Sequence, residues 1–285
     1  MIAKECPIVA FFLFIFTLAA FCNETPWHYQ CIEKNGHEYH VLEVSPQYYK
    51  VIAMKAEGTL RKKVGEFVKA QDAFAGINGG FFHLTQANDA LPAGALKINK
   101  RWISKAKLPR AAIGWSNDNP SVLIDRIKTN KNDEVFPQQD RSDLSKALWQ
   151  QVDYIVGGTP LLIKNSKIIS QHAPERVIKS FLDEKHARSA ICIKKNKHWV
   201  FLAVPHTKES DRAYSTVIKE GVTIAELSNF MLEQGCVDAI NLDGGGSTAL
   251  VLGNKTLNQP AGDRIHSTAF YLERPVLDVI LILEK

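Results

Sequence analysis

Asp243-Gly-Gly-Gly-Ser247 closes the apolar run Cys236-Val-Asp-Ala-Ile-Asn-Leu242 with a carboxylate and three consecutive glycines. Backbone without side chains can approach a ligand closely, and such a loop can aim several N–H groups at a phosphate. The same letters also describe a tight hairpin turn with a solvated Asp. A second segment of like design, Asn78-Gly79-Gly80, follows Ala73-Phe-Ala-Gly-Ile77 and precedes Phe81 and Phe82. Alone it reads equally well as an ordinary type I′ turn, but two such loops can face each other across one cleft. Arg188 opens the run Arg188-Ser-Ala-Ile-Cys-Ile193 two residues after His186, so a guanidinium and an imidazole could share one sheet end. Arg suits a pair of phosphate oxygens, although an Arg at a strand end is commonly a surface residue. His83, His172, His206 and His266 each read as solvated or core-capping.

Other chemistries lack their residues. The chain has no Gly-x-Ser-x-Gly elbow, no Gly-x-x-x-x-Gly-Lys-Ser/Thr loop, no His-Glu-x-x-His and no dinucleotide fingerprint at a strand–helix turn. Its net charge of +5 is spread along the chain without a basic block or aromatic-interleaved stripe, which excludes a nucleic-acid groove and suits mild attraction to anions. Composition does not speak to oligomeric state.

The elements around these loops read as hairpins with a few helices. At 285 residues and 45% apolar composition the chain can fill one sizeable core. Residues 1–22 form an expected export signal: Lys4 precedes the apolar run Pro7 to Phe21, and Ala20-Phe-Cys22 closes it. The run is short for a membrane span, so residues 23–285 are the expected globular domain, exported to the periplasm or the medium in a bacterium, with no transmembrane segment after signal removal. Leu18-Ala-Ala-Phe-Cys22 loosely matches a lipoprotein box, which leaves lipid anchoring at Cys22 as the lesser alternative. Cys31, Cys192 and Cys236 remain, allow at most one disulfide, and read mainly as small buried apolar residues.

Alternation places strands at Tyr39–Val44 and Tyr48–Met54, joined as a hairpin through Ser45-Pro46. Leu60, Val64, Phe67, Val68 and Gln71 recur at helical spacing. Strand-like pieces follow at 95–98, 101–103, 111–115 and 121–125, linked by Asn99-Lys100 and Asn117-Asp-Asn-Pro120 turns. A helix from Ser142 should turn Leu144, Leu148 and Val152 inward. Gly157, Gly158 and Pro160 mark a bend within Tyr154–Ile163. Thr223-Ile-Ala-Glu226 is a capping box for a helix running to Gln234, and 248–252 leaves the glycine triplet as a strand that pairs back through Gly253-Asn254. This pattern predicts an α+β fold with mixed or largely antiparallel sheets and a few packed helices.

Seven elements in order carry a further signal: Ile77-Asn-Gly-Gly-Phe-Phe82, Pro92-Ala-Gly-Ala-Leu96, Gly157-Gly-Thr-Pro-Leu-Leu162, His186-Ala-Arg-Ser-Ala190, Gly221-Val-Thr-Ile-Ala-Glu-Leu227, Asn241-Leu-Asp-Gly-Gly-Gly-Ser247, and Arg264 before a terminal strand. Together, over roughly Ala53 to Leu272, the chain resembles the phosphodiester glycosidase family. It departs from that pattern in Ala187-Arg-Ser189, where Pro-Arg-Thr is common, in Thr248, where a second Ser is common, and in Pro205-His206, where Asp-Gly is usual.

The resemblance implies a single phosphodiester-glycosidase-like domain that cuts a sugar-1-phosphodiester into free sugar and a phosphomonoester. It implies Asp243 as the carboxylate supporting an oxocarbenium-like centre. Arg188 would hold the phosphate, aided by the N–H groups of Gly244, Gly245, Gly246 and Ser247 and by Arg264. Asn78, with Gly79 and Gly80, would meet the substrate, as would Gly157, Gly158 and Thr248, while His186 or Ser247 would position a proton or a phosphate oxygen. The partner is then a phosphorylated carbohydrate or glycan. No cofactor is required, and a divalent cation at Asp243 stays open, with no metal ligand assigned. Two other readings stand beside this one: a carbohydrate- or phosphate-binding protein without turnover, and a glycosidase of exported polysaccharide without a phosphodiester.

Overall fold

The structure, a computed structural model, describes residues 25–206, 220–261 and 273–285. Arg264, His266, Cys22 and the expected signal lie outside the described residues. Long apolar runs become strands buried on both faces. Trp199-Val-Phe-Leu-Ala-Val204 is buried at every position, and so is Asp278-Val-Ile-Leu-Ile282.

Numbered in chain order, one sheet runs β1 (Trp27–Lys34), β2 (His37–Val44), β16 (Trp199–Val204), β15 (Arg188–Lys194), β17 (Cys236–Asn241), β13 (Leu161–Lys164), β14 (Lys167–Ile168). A second runs β11 (Val135–Pro137), β10 (Asn119–Thr129), β9 (Arg110–Ser116), β12 (Tyr154–Gly157), β7 (Leu96–Ile98), β8 (Arg101–Ser104). The third runs β19 (Lys255–Thr256), β18 (Leu250–Leu252), β4 (Ala75–Asn78), β20 (Asp278–Glu284), β3 (Tyr49–Lys55), and β5 (Phe82–Leu84) pairs only with β6 (Ala90–Pro92). Neighbouring strands in all of these sheets pair antiparallel. The fold is α+β with largely antiparallel sheets, as the alternation of short strands and turns predicts.

One core is shared by the three large sheets: Leu42, Ile191 and Phe201 from the first meet Ile113, Trp115 and Val156 from the second and Ile77 and Ile280 from the third. Each sheet carries a helix on its other face. Helix α4 (Ile224–Glu233) sets Leu227, Phe230 and Met231 against the first, with Tyr39 stacked on Phe230 at 3.8 Å. Helix α1 (Val64–Ala70) covers the third through Phe67 and Val68, and α2 (Asp143–Gln151) covers the second through Trp149. A short helix, α3 (Lys179–Asp183), precedes β15. The Thr223 capping box forms as its spacing predicts: Thr223 Oγ1 accepts from Glu226 N at 3.1 Å and Glu226 Oε2 accepts from Thr223 N at 2.8 Å.

Four expectations are corrected. Strands β2 and β3 do not form a hairpin; β2 pairs with β1 and β16 while β3 pairs with β20, so Ser45-Pro46 carries the chain between sheets. Helix α1 starts at Val64, leaving Leu60 exposed. Helix α2 turns Ser145 and Trp149 inward and leaves Leu144 70% exposed. The indole decides that face, because it lies where Gly114 leaves room: a Cβ there would sit 2.6 Å from Trp149. Finally, Cys192 and Cys236 form a disulfide between β15 and β17, and Cys31 is exposed on β1, so these are not three buried apolar thiols.

Candidate active site

The carboxyl ends of β4, β12 and β17 converge at one edge of the shared core, and two buried asparagines fasten them. Asn78 Nδ2 donates to the Asp243 carbonyl at 2.8 Å, and its Oδ1 accepts from Ser189 Oγ at 2.6 Å and from Ala249 N at 3.3 Å. Asn241 Nδ2 donates to the Thr159 carbonyl at 2.7 Å, while Thr159 N donates to the Asn241 carbonyl at 2.9 Å. All three glycine segments therefore meet.

Their glycines are needed where chain packs on chain. A Cβ on Gly79 would lie 2.0 Å from Asp278 Oδ2, and one on Gly158 would lie 2.2 Å from the Asn241 carbonyl. Gly80 abuts the Gly157 carbonyl, Gly157 abuts Ala95, and Gly244 abuts the Ala187 carbonyl, each inside 3 Å of an added Cβ. Gly246 packs under the Arg274 guanidinium, at 2.7 Å by the same measure. Gly245 differs: φ is +56° and nothing lies within 4 Å, so it is the position open to a ligand.

Charge at this edge comes from two aspartates and an arginine. Asp243 is partly solvent-accessible but densely surrounded, and burial raises its pKa to about 6. Gly244 N donates to its Oδ1 at 2.9 Å, and Arg274 favours its charged form. The Ser247 hydroxyl also lies close enough to favour that form, without completing a hydrogen bond. Asp278, at the start of β20, is 2% exposed, and its Oδ2 accepts from Gly80 N at 3.0 Å. Burial raises it to about 7, and the negative charge of Asp243 adds to that shift. Three buried oxygens in the same segment, Asn241 Oδ1, Ser247 Oγ and Thr248 Oγ1, find no hydrogen-bond partner among the described residues. Buried polar atoms left so are uncommon, and each calls for an explanation.

The expected roles of Arg188, the loop N–H groups and Asn78 need correction. Arg188 is 1% exposed, with Nε donating to Val222 O at 3.1 Å and Nη2 to Phe181 O at 2.7 Å and Glu184 O at 3.1 Å; burial lowers its pKa to about 10. Its guanidinium also lies 4.6 Å over the Phe181 ring. These contacts make it a brace between β15 and the segment before it. The expected cradle of N–H groups is likewise committed: Gly244 N serves Asp243, Gly245 N donates to Ala187 O at 2.8 Å, and Ser247 N donates to Gly244 O at 3.1 Å within a short 3₁₀ turn. His186 is brought to the rim, adjoining the Ala187 carbonyl that holds Gly245, with Nε2 3.7 Å from Glu184. Asn78 is wholly buried and acts as a joint instead of a substrate contact.

Asp278, Arg274 and Glu175 join the site with no expected role from the sequence. Asp278 had a signal in the letters: a lone carboxylate opening an apolar strand mirrors Asp243 closing one. Glu175 is wholly buried; its carboxylate accepts from Ala111 N at 3.1 Å, Leu161 N at 3.0 Å, Thr159 Oγ1 at 2.9 Å and Arg126 Nε at 2.7 Å. It thereby fixes the Gly157–Leu161 turn. Glu175→Ala is expected to lower the unfolding free energy by about 3–5 kcal/mol, because Arg126 would stay buried without its partner. Urea unfolding measures this, and a loss under about 1 kcal/mol would remove the pair from the site's support.

Regarding a metal, the one group of three ligand-type side chains within 4.8 Å among the described residues is Cys31, Glu38 and His40 on the β1–β2 hairpin, away from the Asp243 loop. No helix among the described residues is long and apolar enough to cross a membrane.

A family model described as phosphodiester glycosidase matches residues 71–283, about three quarters of the chain. Human N-acetylglucosamine-1-phosphodiester alpha-N-acetylglucosaminidase is 26% identical over 229 residues, which cover 79% of this chain and 40% of that protein. The chain therefore spans about two fifths of that relative's length. Among solved structures, a hypothetical protein from Synechocystis superposes with a TM-score of 0.70 at 18% identity, covering 91% of this chain and 62% of the other. The catalytic domain of zebrafish N-acetylglucosamine-1-phosphodiester alpha-N-acetylglucosaminidase superposes with a TM-score of 0.66 at 18% identity, covering 93% and 85%. At that identity these two show likeness of fold.

Proposed function

The chain belongs to the phosphodiester glycosidase family, and from that premise we propose that it hydrolyses a sugar-1-phosphodiester between the anomeric carbon and the phosphate oxygen. The observation that carries this reading is Asp243: a partly exposed carboxylate on a glycine loop, raised to about 6 by its dense surroundings, with the Arg274 guanidinium packed on the nearby Gly246. In the ionised form Asp243 either attacks C1 or takes a proton from the water that does. The C1–O bond breaks with its electron pair going to the phosphate oxygen, water supplies the oxygen that ends on C1, either directly or by hydrolysing the C1–Asp243 ester, and the proton it gives up passes to the departing phosphomonoester or to solvent. A phosphate departs readily, so no strong general acid is needed. Arg274, in place of Arg188, holds the phosphate and opposes its growing charge. The expected export signal at residues 1–22 would place this activity outside the cytoplasm.

The human relative's substrate class makes α-N-acetylglucosamine 1-(ethyl phosphate) a reasonable first probe. Incubation should release N-acetylglucosamine and ethyl phosphate, identified by mass, while the matching ethyl glycoside without phosphate should stay intact. Cleavage of the plain glycoside alone would make the protein an ordinary glycosidase, and binding without product would make it a binding protein.

A further inference from the structure

The edge hairpin of the first sheet carries three side chains that the proposed hydrolysis does not use. Among the described residues β1 pairs only with β2, and their register sets Cys31 directly opposite His40. Side chains of a strand alternate between faces, so Glu38, two residues before His40, shares that face. Cys31 Sγ, a Glu38 carboxylate oxygen and a His40 ring nitrogen all lie within 4.8 Å of one another. Cys31 is exposed, whereas the His40 and Glu38 side chains are only 6% and 12% exposed.

Two features of the surroundings suit a cation here. The imidazole is held from both sides: His40 Nδ1 is 2.9 Å from the Tyr29 hydroxyl oxygen, and Nε2 is 2.7 Å from Glu38 Oε1. A ligating histidine is commonly oriented in this way, its second nitrogen donating to a neighbouring oxygen. When Nδ1–H donates to Tyr29, the Nε2 lone pair faces a carboxylate oxygen, and a proton or a metal ion must lie between them. Glu33, moreover, stands opposite Glu38 in the same register. Like charges so placed weaken a strand pair, and a dication beside Glu38 offsets that repulsion.

The donor set selects the metal. Thiolate, imidazole and carboxylate together are ligands of zinc, while magnesium and calcium take oxygen alone. Tetrahedral zinc, with bonds of about 2.0–2.3 Å, sets its ligand atoms about 3.3–3.7 Å apart. The His40–Glu38 contact therefore opens and the wider separations close, each by about 1 Å or less, within the reach of side-chain rotation.

We propose that Cys31 Sγ, His40 Nε2 and Glu38 Oε1 bind a zinc ion, with water as the fourth ligand, and that this ion clamps the edge strand β1 onto β2. Zinc replaces the Cys31 thiol proton and the proton between His40 and Glu38, and both pass to solvent. The clamp does not depend on the hydrolysis of a phosphodiester.

The full chain, with Cys31 kept reduced, is titrated with Co²⁺ and then with Zn²⁺. The wild type should bind one cobalt ion and show a thiolate-to-cobalt charge-transfer band that zinc abolishes and magnesium does not. Zinc, measured by competition, should bind with a Kd of about 1 μM or below. In Cys31→Ser the band should be absent and zinc binding weaker by more than about 100-fold, beyond the cost of losing a supporting residue. Because Cys31 is exposed, this substitution leaves the packing intact. Tyr29→Phe should keep the band and weaken zinc about tenfold. Zinc at a hundredfold excess over Kd should raise the wild-type melting temperature by about 5 °C and leave that of Cys31→Ser unchanged. A wild type without the band, or a Cys31→Ser protein that binds zinc as tightly, would overturn the site. A wild-type melting temperature that zinc does not move would overturn the clamp.

Discussion

Asp243→Asn is expected to lower kcat on a sugar-1-phosphodiester by ~10³-fold, with KM changed only a few-fold. The substitution keeps shape and keeps an oxygen to accept the Gly244 N–H, now donated to Asp243 Oδ1 at 2.9 Å, so the loop has no reason to rearrange. What it removes is the charge that answers the developing cation at C1. The wild-type pH profile should carry the same information. Because burial raises Asp243 to about 6, the carboxyl is neutral below that pH and ionised above it, and kcat/KM should climb through about pH 6. Product formation assayed by mass across pH checks both points. A variant retaining more than about a tenth of wild-type kcat would exclude Asp243 from the chemistry.

Asp278→Asn should act on the other limb. Asp278 is buried and does not reach the surface, so its influence is through charge: above about pH 7 its carboxyl ionises beside an already ionised Asp243. A second buried negative charge opposes an anionic substrate, and wild-type kcat/KM should fall by about tenfold between pH 7 and pH 8.5, mainly through KM. The two carboxyls titrate as a coupled pair, so the profile is a bell with limbs near 6 and 7. In Asp278→Asn the alkaline limb should disappear and the acid limb should stay. Lys55, paired with Asp278 in the β3–β20 register and favouring its ionised form, is unchanged by the substitution.

Stability supplies a second readout with a definite sign. A carboxyl whose folded pKa is raised binds its proton more tightly in the native state, so stability falls as pH rises from its unfolded value near 4 through about 7. Asp278→Asn should therefore melt at a higher temperature than the wild type at pH 8, with a smaller difference at pH 5. An unchanged alkaline limb together with an unchanged melting difference would contradict this account.

Much of the frame was legible in the letters because its signals are local. The Thr223 to Glu226 cap, the strand before Asp243 and the return strand through Gly253-Asn254 depend on neighbours in sequence. Pairing between distant strands has no such signal, which is why β2 and β3 read as a hairpin although their partners are β16 and β20. The site was legible as a set of loops but not as a set of roles. Arg188, Asn78 and most of the glycines are the right types for phosphate and sugar contacts, yet each is equally right for fastening one loop to another. Only the distances show which use is made of them. Asp278 stands 35 positions beyond Asp243, and nothing in its own surroundings in the sequence pairs the two.

The two asparagine joints bear on motion. Asn78 and Asn241 tie segments of all three large sheets at the point where Asp243 stands. To swing the Asp243 loop outward would break the Asn78–Asp243 hydrogen bond and the Asp243 N to Gly79 O bond beside it, so this loop opens at a higher cost than an exposed one. The bonds that join the sheets therefore also hold the candidate carboxylate in place, and motion is expected in the rim around the site before it reaches Asp243.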